Sequence, residues 1–210
     1  MPQWGHVPPK DPSAINDLVN AYRQSEYSIK ETLRVLFNSD FFKQARFARV
    51  KSPAEFIINT LRCTGDFRII DGSDNTVYQI MEDSGFMGQK LTNPPSVEGW
   101  HTGEEWITSG SLVDRVNFVS KYITDASNPG VEKMIARVVD KITDKTTPNQ
   151  FLEICISVLG ELDLSDETYD ALMTTVEHTL SVEGSFASST ESLVTKVFQI
   201  ASSSKEFQLC

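Results

Sequence analysis

The residues best suited to chemistry lie in one segment, NPPSVEGWHTGEEWITSGSLVDRVNF, at residues 93–118. It combines aromatic, acidic and amide side chains, and the candidate binding residues are Glu98, Trp100, His101, Glu105, Trp106, Arg115 and Asn117. Tryptophan rings cover the apolar faces of sugars, while carboxylates accept hydrogen bonds from sugar hydroxyls, so this set is suited to binding a glycan. A pair of carboxylates is also what glycoside hydrolysis requires.

The same residues have a purely structural interpretation, which we favour. Tryptophans pack irregular loops onto helices, and Arg115 and Asn117 can bind the backbone carbonyls of such a loop. We expect Trp100 to be an anchor, because it lies between Gly99 and His101 in the tightest part of the segment. For Trp106, which lies at a predicted helix start, an exposed position is also compatible with the sequence.

Patterns of established catalytic or cofactor sites are not found in the sequence. His6, His101 and His178 show neither HxH nor HExxH spacing, so we predict no metal site. The glycines form neither GxGxxG nor a phosphate-binding loop, and we predict no cofactor and no recognisable catalytic residue. Three cysteines lie far apart, and Cys63 and Cys155 fall in apolar helical patterns that indicate buried thiols.

The charge of the chain is acidic, with a formal net value of −10 over 210 residues. This sign argues against a nucleic-acid partner, which needs clustered lysine and arginine. A small basic cluster exists, which we interpret as a solvated helix face: Lys43, Arg46, Arg49 and Lys51. No apolar run reaches the length of about 18 residues that spans a bilayer, and the N-terminus lacks the pattern of an export signal.

Helix start signals followed by apolar residues at helical spacing recur along the chain. Asp11-Pro12 places a capping side chain before a proline, and Ser52 with Glu55 forms a capping box. The predicted helices span about 11–25, 28–39, 53–64, 77–85, 111–122, 131–143, 148–159, 166–180 and 189–202, and a further helical start is predicted after Thr102, which forms a capping box with Glu105. No long stretch alternates with period two, so we predict an all-α, bundle-like domain with at least six helices and negligible sheet.

One long connection interrupts the helices at residues 85–107, where four glycines and the adjacent Pro94 and Pro95 occur. Its apolar content predicts an ordered loop rather than a disordered one. A second, shorter loop is predicted at 71–76. We divide the chain into a helical core at 1–125, which carries the long loop, and a C-terminal helical extension at 126–210 packed on it.

Three segments together resemble a known family. They are KSPAEFIINTLR at 51–62, MGQKLTNPPSVEGWHTGEEWI at 87–107 and SGSLVDRVNF at 109–118, and the ending SKEFQ at 204–208 is also similar. In kind and spacing they resemble the C-terminal half of the bacterial domain-of-unknown-function 1800 family. The matched signature residues are Pro94, Pro95, Gly99, Trp100, Trp106, Arg115 and Asn117. The resemblance implies a missing N-terminal half of the same protein and an extracytoplasmic setting for the full-length form, but no established activity.

Two functions from different classes follow as hypotheses. The first is a non-catalytic helical module that binds a partner protein or a glycan. The second is a hydrolase that acts on glycan or peptide through the 98–106 loop, which requires side chains to converge in a concave pocket. A structural scaffold is a third interpretation, and it requires both tryptophans to be buried.

Overall fold

The computed structural model describes residues 11–65, 76–143, 145–160, 162–183 and 186–210. These residues form the α-helices α1 Pro12–Gln24, α2 Ile29–Asn38, α3 Asp40–Lys43, α4 Pro53–Thr64, α5 Thr76–Phe86, α6 Ser109–Ile123, α7 Pro129–Val139, α8 Pro148–Leu159, α9 Asp166–Glu183 and α10 Phe186–Ser203. Short 3-10 helices lie at Gly103–Trp106 and Glu206–Gln208. Within the described ranges there is no strand beyond two isolated bridges, so the all-α prediction is confirmed. The loop predicted at 71–76 lies outside the described residues, except that Thr76 begins α5.

Four helices begin in the same way, with a proline directly after a polar capping residue. The capping residues are Asp11, Ser52, Asn128 and Thr147, and each accepts a hydrogen bond from a backbone N–H in the first helical turn. Proline suits this position because its missing N–H has no partner in the helix anyway. Since one cap contributes about 1 kcal/mol, these local signals fix where the helices start.

The buried core is organised around α10, which packs against α6, α7, α8 and α9. Its inward stripe consists of Leu193, Val194, Val197, Phe198 and Ala201, all fully buried. Burial of one such Leu, Val or Phe side chain contributes roughly 1.5–3 kcal/mol. The same cluster includes side chains from α4 and α6, so helices on both sides of residue 125 share one core. The division of the chain at residue 125 stays a prediction.

The C-terminal segment returns to the start of α4 and pairs with the residues before it. Arg49 and Cys210 exchange both of their backbone hydrogen bonds, at 2.8 and 3.2 Å, and the N–H of Lys51 donates to the carbonyl of Gln208 at 2.8 Å. The aromatic ring of Phe207 then packs edge-on against Phe56 in the core. Segments 49–51 and 208–210 are therefore held together, so the C-terminal segment packs beside the start of α4.

Helices α1 and α2 form an antiparallel pair that packs mainly on itself and on α3. The turn between them carries two residues with positive φ, Glu26 and Tyr27, and the Tyr27 ring lies edge-on to Tyr22. Few core residues come from this part of the chain: Ala14 is the one apolar residue of α1 that is fully buried, and α2 has none. The pair therefore contributes little to the main core.

Candidate functional site

The signature loop starts from a tight, fully hydrogen-bonded turn after α5. The N–H of Gln89 donates to Ser84 O, and the hydroxyl of Ser84 donates to Gln89 O, both at 2.8 Å. The side chain of Gln89 accepts the N–H of Ala54 at 2.8 Å, which ties the turn to α4. Gly88 has φ +99°, and a Cβ there would lie 3.9 Å from the Trp106 ring. Glycine is needed here for its positive φ.

Trp106 is the anchor of this loop. It is 5 % exposed, its ring covers Gly88, and its backbone carbonyl accepts the Ser111 hydroxyl at 2.7 Å. Trp100, the tryptophan that we expected to be the anchor, is half-buried, and its indole N–H is enclosed without a hydrogen-bond partner among the described residues. The loop is thus held chiefly by Trp106, at the end of the 3-10 helix.

The tip of the loop is exposed over residues 91–98, and Val97 projects fully into solvent. A bridge between Ser96 and Gly99 closes the tip, and the N–H of Glu98 donates to the Ser96 hydroxyl at 3.2 Å. Glu98 therefore lies on the outer surface and does not line the cavity beside Trp106. The prolines Pro94 and Pro95 are exposed as well, so they stiffen the tip without packing it into the core.

A cleft of about 430 Å³ opens beside Trp106, between the end of α5 and the first turns of α6. It is lined by Phe86, Met87, Gly88, His101, Glu105, Trp106, Thr108, Gly110, Ser111 and Asp114. The Nδ1 atom of His101 lies 3.4 Å from Oε2 of Glu105, and both side chains are 62 % exposed. The Glu105 carboxylate also accepts the N–H of Thr102, at 3.4 Å.

A smaller cavity of about 130 Å³ adjoins this cleft and shares Phe86, Met87 and Asp114 with it. Asp83, Asn117, Phe118 and Lys121 complete its lining. We call the two cavities together the α5–α6 cleft. Three of the seven predicted binding residues line the larger cavity, namely His101, Glu105 and Trp106, and Asn117 lines the smaller one. Asp114, which lines both, was not among the predicted residues.

Arg115 has a different role from the one its sequence position suggested. It is fully buried and points away from the loop, where Nη1 donates to Oε1 of Gln208 at 3.0 Å and Nη2 donates to the Lys51 carbonyl at 2.9 Å. Its guanidinium also lies over the Phe56 ring, 4.9 Å from the centroid. Burial lowers the pKa of Arg115 to about 10. The residue therefore fastens the C-terminal segment and does not bind carbonyls of the loop.

Lys51 belongs to the same buried cluster, although the sequence suggested a solvated helix face. It is 8 % exposed, precedes α4, and donates from Nζ to the Phe207 carbonyl at 2.8 Å. Burial lowers the pKa of this ammonium group. Arg49 from the same predicted cluster forms a bidentate ion pair with Glu55, at 2.6 and 2.9 Å. Lys51 and Arg49 thus serve the packing of the C-terminal segment and of α4, whereas Lys43 and Arg46 are exposed, as predicted.

A further cavity of about 630 Å³ lies between the C-terminal segment and residues 163–165, with Leu112 and Ile107 on its wall. Its polar end is the carboxylate of Glu206, which is 6 % exposed and accepts the hydroxyl and N–H of Ser165 at 2.7 and 3.2 Å. Burial alone would raise the pKa of Glu206, but the hydrogen bonds from Ser165, from Ser204 and from its own backbone together outweigh burial, so the pKa is lowered. This carboxylate is occupied in holding the start of α9.

Among the described residues, exposed large apolar side chains are concentrated on α1, α2, α3 and the turn between α1 and α2. Ile15, Val19 and Tyr22 follow one stripe of α1, and Ile29, Leu33 and Phe37 follow one stripe of α2. Tyr27 packs on Tyr22, and Phe42 packs on Phe37 at 5.2 Å between ring centroids. We call this the hairpin face; its eight members are 37–68 % exposed: Ile15, Val19, Tyr22, Tyr27, Ile29, Leu33, Phe37 and Phe42.

Among the residues that the structure describes, no group of three or more His, Cys, Asp or Glu side chains is arranged to hold a metal ion. No helix in this part of the chain is both long and apolar enough to cross a membrane. The Cys155 thiol is fully buried, and that burial raises its pKa to about 12, while Cys63 is half-buried and donates to the Leu159 carbonyl.

Comparison with known proteins identifies the family of this chain. The sequence pattern of a family described as proteins of unknown function, DUF1800, matches residues 5–209. The chain belongs to this family, as the resemblance predicted. Neither the curated proteins nor the solved structures include a match to the chain.

Proposed function

We propose that this chain is a non-catalytic helical module that binds a partner protein through the hairpin face. The observation that carries the proposal is the exposure of eight large apolar side chains on α1–α3, of which Ile29, Phe37 and Tyr27 are more than half exposed. Scattered apolar residues are normal on protein surfaces, but a contiguous set marks an interaction site. Few contacts join these helices to the rest of the fold, so the hairpin presents its face outward.

The size of the hairpin face supports this proposal. The four aromatic members offer roughly 150–250 Å² each and the four aliphatic members less, so at 37–68 % exposure the eight together present on the order of 600–700 Å². The largest apolar patch of an ordinary monomer measures about 300–600 Å². A standard protein interface covers about 800 Å² on each partner. The hairpin face is thus of the size that one partner covers.

The partner that we propose is an N-terminal helical half of the same protein, as the family resemblance suggests. In that arrangement the hairpin face is an internal interface of a longer, extracytoplasmic bacterial protein. A glycan partner is less well supported at the signature loop. Sugar-binding platforms present the open face of an aromatic ring, whereas Trp106 is 5 % exposed.

Site-specific photo-crosslinking tests the proposal in the full-length protein in its own cells. A photoreactive amino acid replaces Leu33 or Phe37 on the hairpin face, and Val139 on α7 serves as a control of matched exposure, 41 % against 42 % for Leu33. We expect one defined crosslinked product at both hairpin positions and none at Val139, with the crosslinked peptides identified by mass spectrometry. Crosslinks to residues N-terminal of this chain support the same-protein partner. Absence of a defined product at both hairpin positions contradicts the proposal.

The second candidate function, a hydrolase, is favoured by one observation: His101 and Glu105 lie 3.4 Å apart in a concave cleft. Against it, the side chains of both residues are largely exposed, whereas catalytic acids and bases usually lie in partly buried sites with charged neighbours. If the cleft hydrolyses glycan or peptide, Glu105→Gln lowers the rate by roughly 10²–10⁴-fold, the usual contribution of acid–base catalysis. Glu104→Gln, the same change at an adjacent exposed residue that does not line the cleft, is the matched control. Equal activity of the two variants excludes this function for the cleft.

A further inference from the structure

We propose that the α5–α6 cleft docks a basic peptide segment, with lysine or arginine side chains seated beside Phe86 and Trp106. This surface is separate from the hairpin face, and the inference does not depend on the proposed function. The larger cavity is walled by Phe86, Met87, Trp106 and two glycines, so it offers apolar and aromatic surface to the stem of a long side chain.

The ionisable groups of the cleft select the charge of the occupant. Glu105 and Asp114 line the larger cavity together with His101, and no lysine or arginine lines it among the described residues. The smaller cavity adds Asp83 and Lys121. Lys121 points its ammonium group over the Tyr122 ring, 4.8 Å from the centroid, so its charge is directed to a neighbour on α6. Carboxylates therefore outnumber cations around the cleft, and a cationic occupant is complementary to it.

Aromatic surface strengthens the same preference. Phe86 is 65 % exposed at the end of α5 and forms part of the wall of both cavities. A cation held near an aromatic ring and next to a carboxylate gains from both groups, and arginine and lysine are the side chains that use this arrangement. An anionic ligand would meet Glu105 and Asp114 at close range, which disfavours phosphate and nucleic acid.

The division into two cavities favours a peptide over a single small amine. The cavities measure about 430 and 130 Å³ and share Phe86, Met87 and Asp114 as a common wall. Two side chains that project from one extended segment can enter them on either side of Phe86, while the backbone crosses the exposed ring. Gly88 and Gly110 keep the larger cavity open, because neither carries a side chain that would fill it.

Fluorescence anisotropy with labelled octalysine tests this inference on the purified chain. The probe is titrated against the parent protein and a double variant, Glu105→Gln with Asp114→Asn, which keeps the shape of both side chains. A matched double variant, Glu153→Gln with Glu177→Gln, makes the same change in net charge at exposed positions on α8 and α9. We expect the cleft variant to weaken binding roughly tenfold, as the loss of two ion pairs implies, and the matched variant to weaken it less than twofold.

Phe86→Ala tests the aromatic contact without a change in charge. Because the Phe86 side chain is largely exposed, we expect this variant to fold like the parent. We expect it to weaken octalysine binding about threefold through the loss of the cation–aromatic contact. Equal weakening by the cleft and matched double variants would show that only the net charge of −10 attracts the probe, and it would overturn the inference. Binding of a neutral oligosaccharide in the cleft without binding of octalysine would overturn it as well.

Discussion

Replacing Trp106 by alanine is expected to be among the most damaging single changes in the signature loop. The side chain is 5 % exposed, covers Gly88 and forms a wall of the α5–α6 cleft. An indole of roughly 150–250 Å² buried at about 25 cal/mol per Å² corresponds to roughly 4–6 kcal/mol as an upper bound. Because unfolded chains already bury part of this area, we expect a loss of about 3–5 kcal/mol in the free energy of unfolding.

Thermal and urea denaturation followed by circular dichroism measure this loss. For a chain of this length, about 1 kcal/mol corresponds to roughly 2–4 °C, so Trp106→Ala should lower the melting temperature by about 10 °C. Limited proteolysis provides a local readout, and we expect faster cleavage within residues 88–99, because the released loop loses its anchor.

Trp100 supplies the comparison for this experiment. It is half-buried, and its enclosed indole N–H lacks a partner among the described residues. A buried donor without an acceptor costs about 1–3 kcal/mol. Trp100→Phe removes that donor and keeps most of the apolar surface, so we expect its stability to stay within about 1 kcal/mol of the parent. If Trp100→Phe destabilises the protein as much as Trp106→Ala does, the assignment of Trp106 as the main anchor is wrong.

Three further predictions concern charged side chains and the thiols. Arg115→Ala leaves two buried acceptors unsatisfied and should lower the free energy of unfolding by about 3 kcal/mol in urea titrations; a loss below about 1 kcal/mol would contradict its role in fastening the C-terminal segment. The hydrogen-bonded Arg49 lowers the pKa of Glu55 from 4.5 to about 2, so the unfolded state binds the proton more readily. The stabilisation from the Arg49–Glu55 pair is therefore complete above pH 4.5 and is lost as the pH falls through 2. Because both side chains are partly exposed, it amounts to about 1 kcal/mol at most. Glu55→Gln should abolish this part of the pH dependence of the free energy of unfolding. The exposed Cys210 should react with a maleimide in the folded protein, whereas Cys155, whose pKa is raised by burial to about 12, should react only after unfolding; equal rates for the two thiols would contradict the burial of Cys155.

The helices could be predicted from sequence because their signals are local. A capping residue and its partner lie two or three positions apart, as in Ser52 with Glu55 and Thr147 with Gln150, and such pairs form whatever the rest of the chain does. The apolar stripe of α10 likewise follows from helical spacing alone. The fold class and the position of the long loop were therefore correct, with element ends shifted by a few residues.

The candidate site was predictable in part, because His101, Glu105 and Trp106 lie within one short segment. Asp114 joins them in the cleft only because α6 begins shortly after Trp106 and its first turns pack beside the end of α5. A lone aspartate on an amphipathic helix carries no sequence signal of that kind. The roles of the two tryptophans also depend on tertiary packing. Trp106 is the main anchor because its ring packs over Gly88.

What the sequence determined by itself was the all-α class, the helix starts and the ordered loop, since each depends on contacts between near neighbours along the chain. Only the tertiary structure decided where Arg115 and Lys51 go. Arg115 meets Gln208 across 93 positions and the Lys51 carbonyl across 64, and Lys51 reaches Phe207 across 156. Basic residues near one another in sequence usually indicate a solvated face, because burying a charge is costly. Here both cations donate to backbone carbonyls or to an amide oxygen far away in the sequence, and no local pattern encodes those partners.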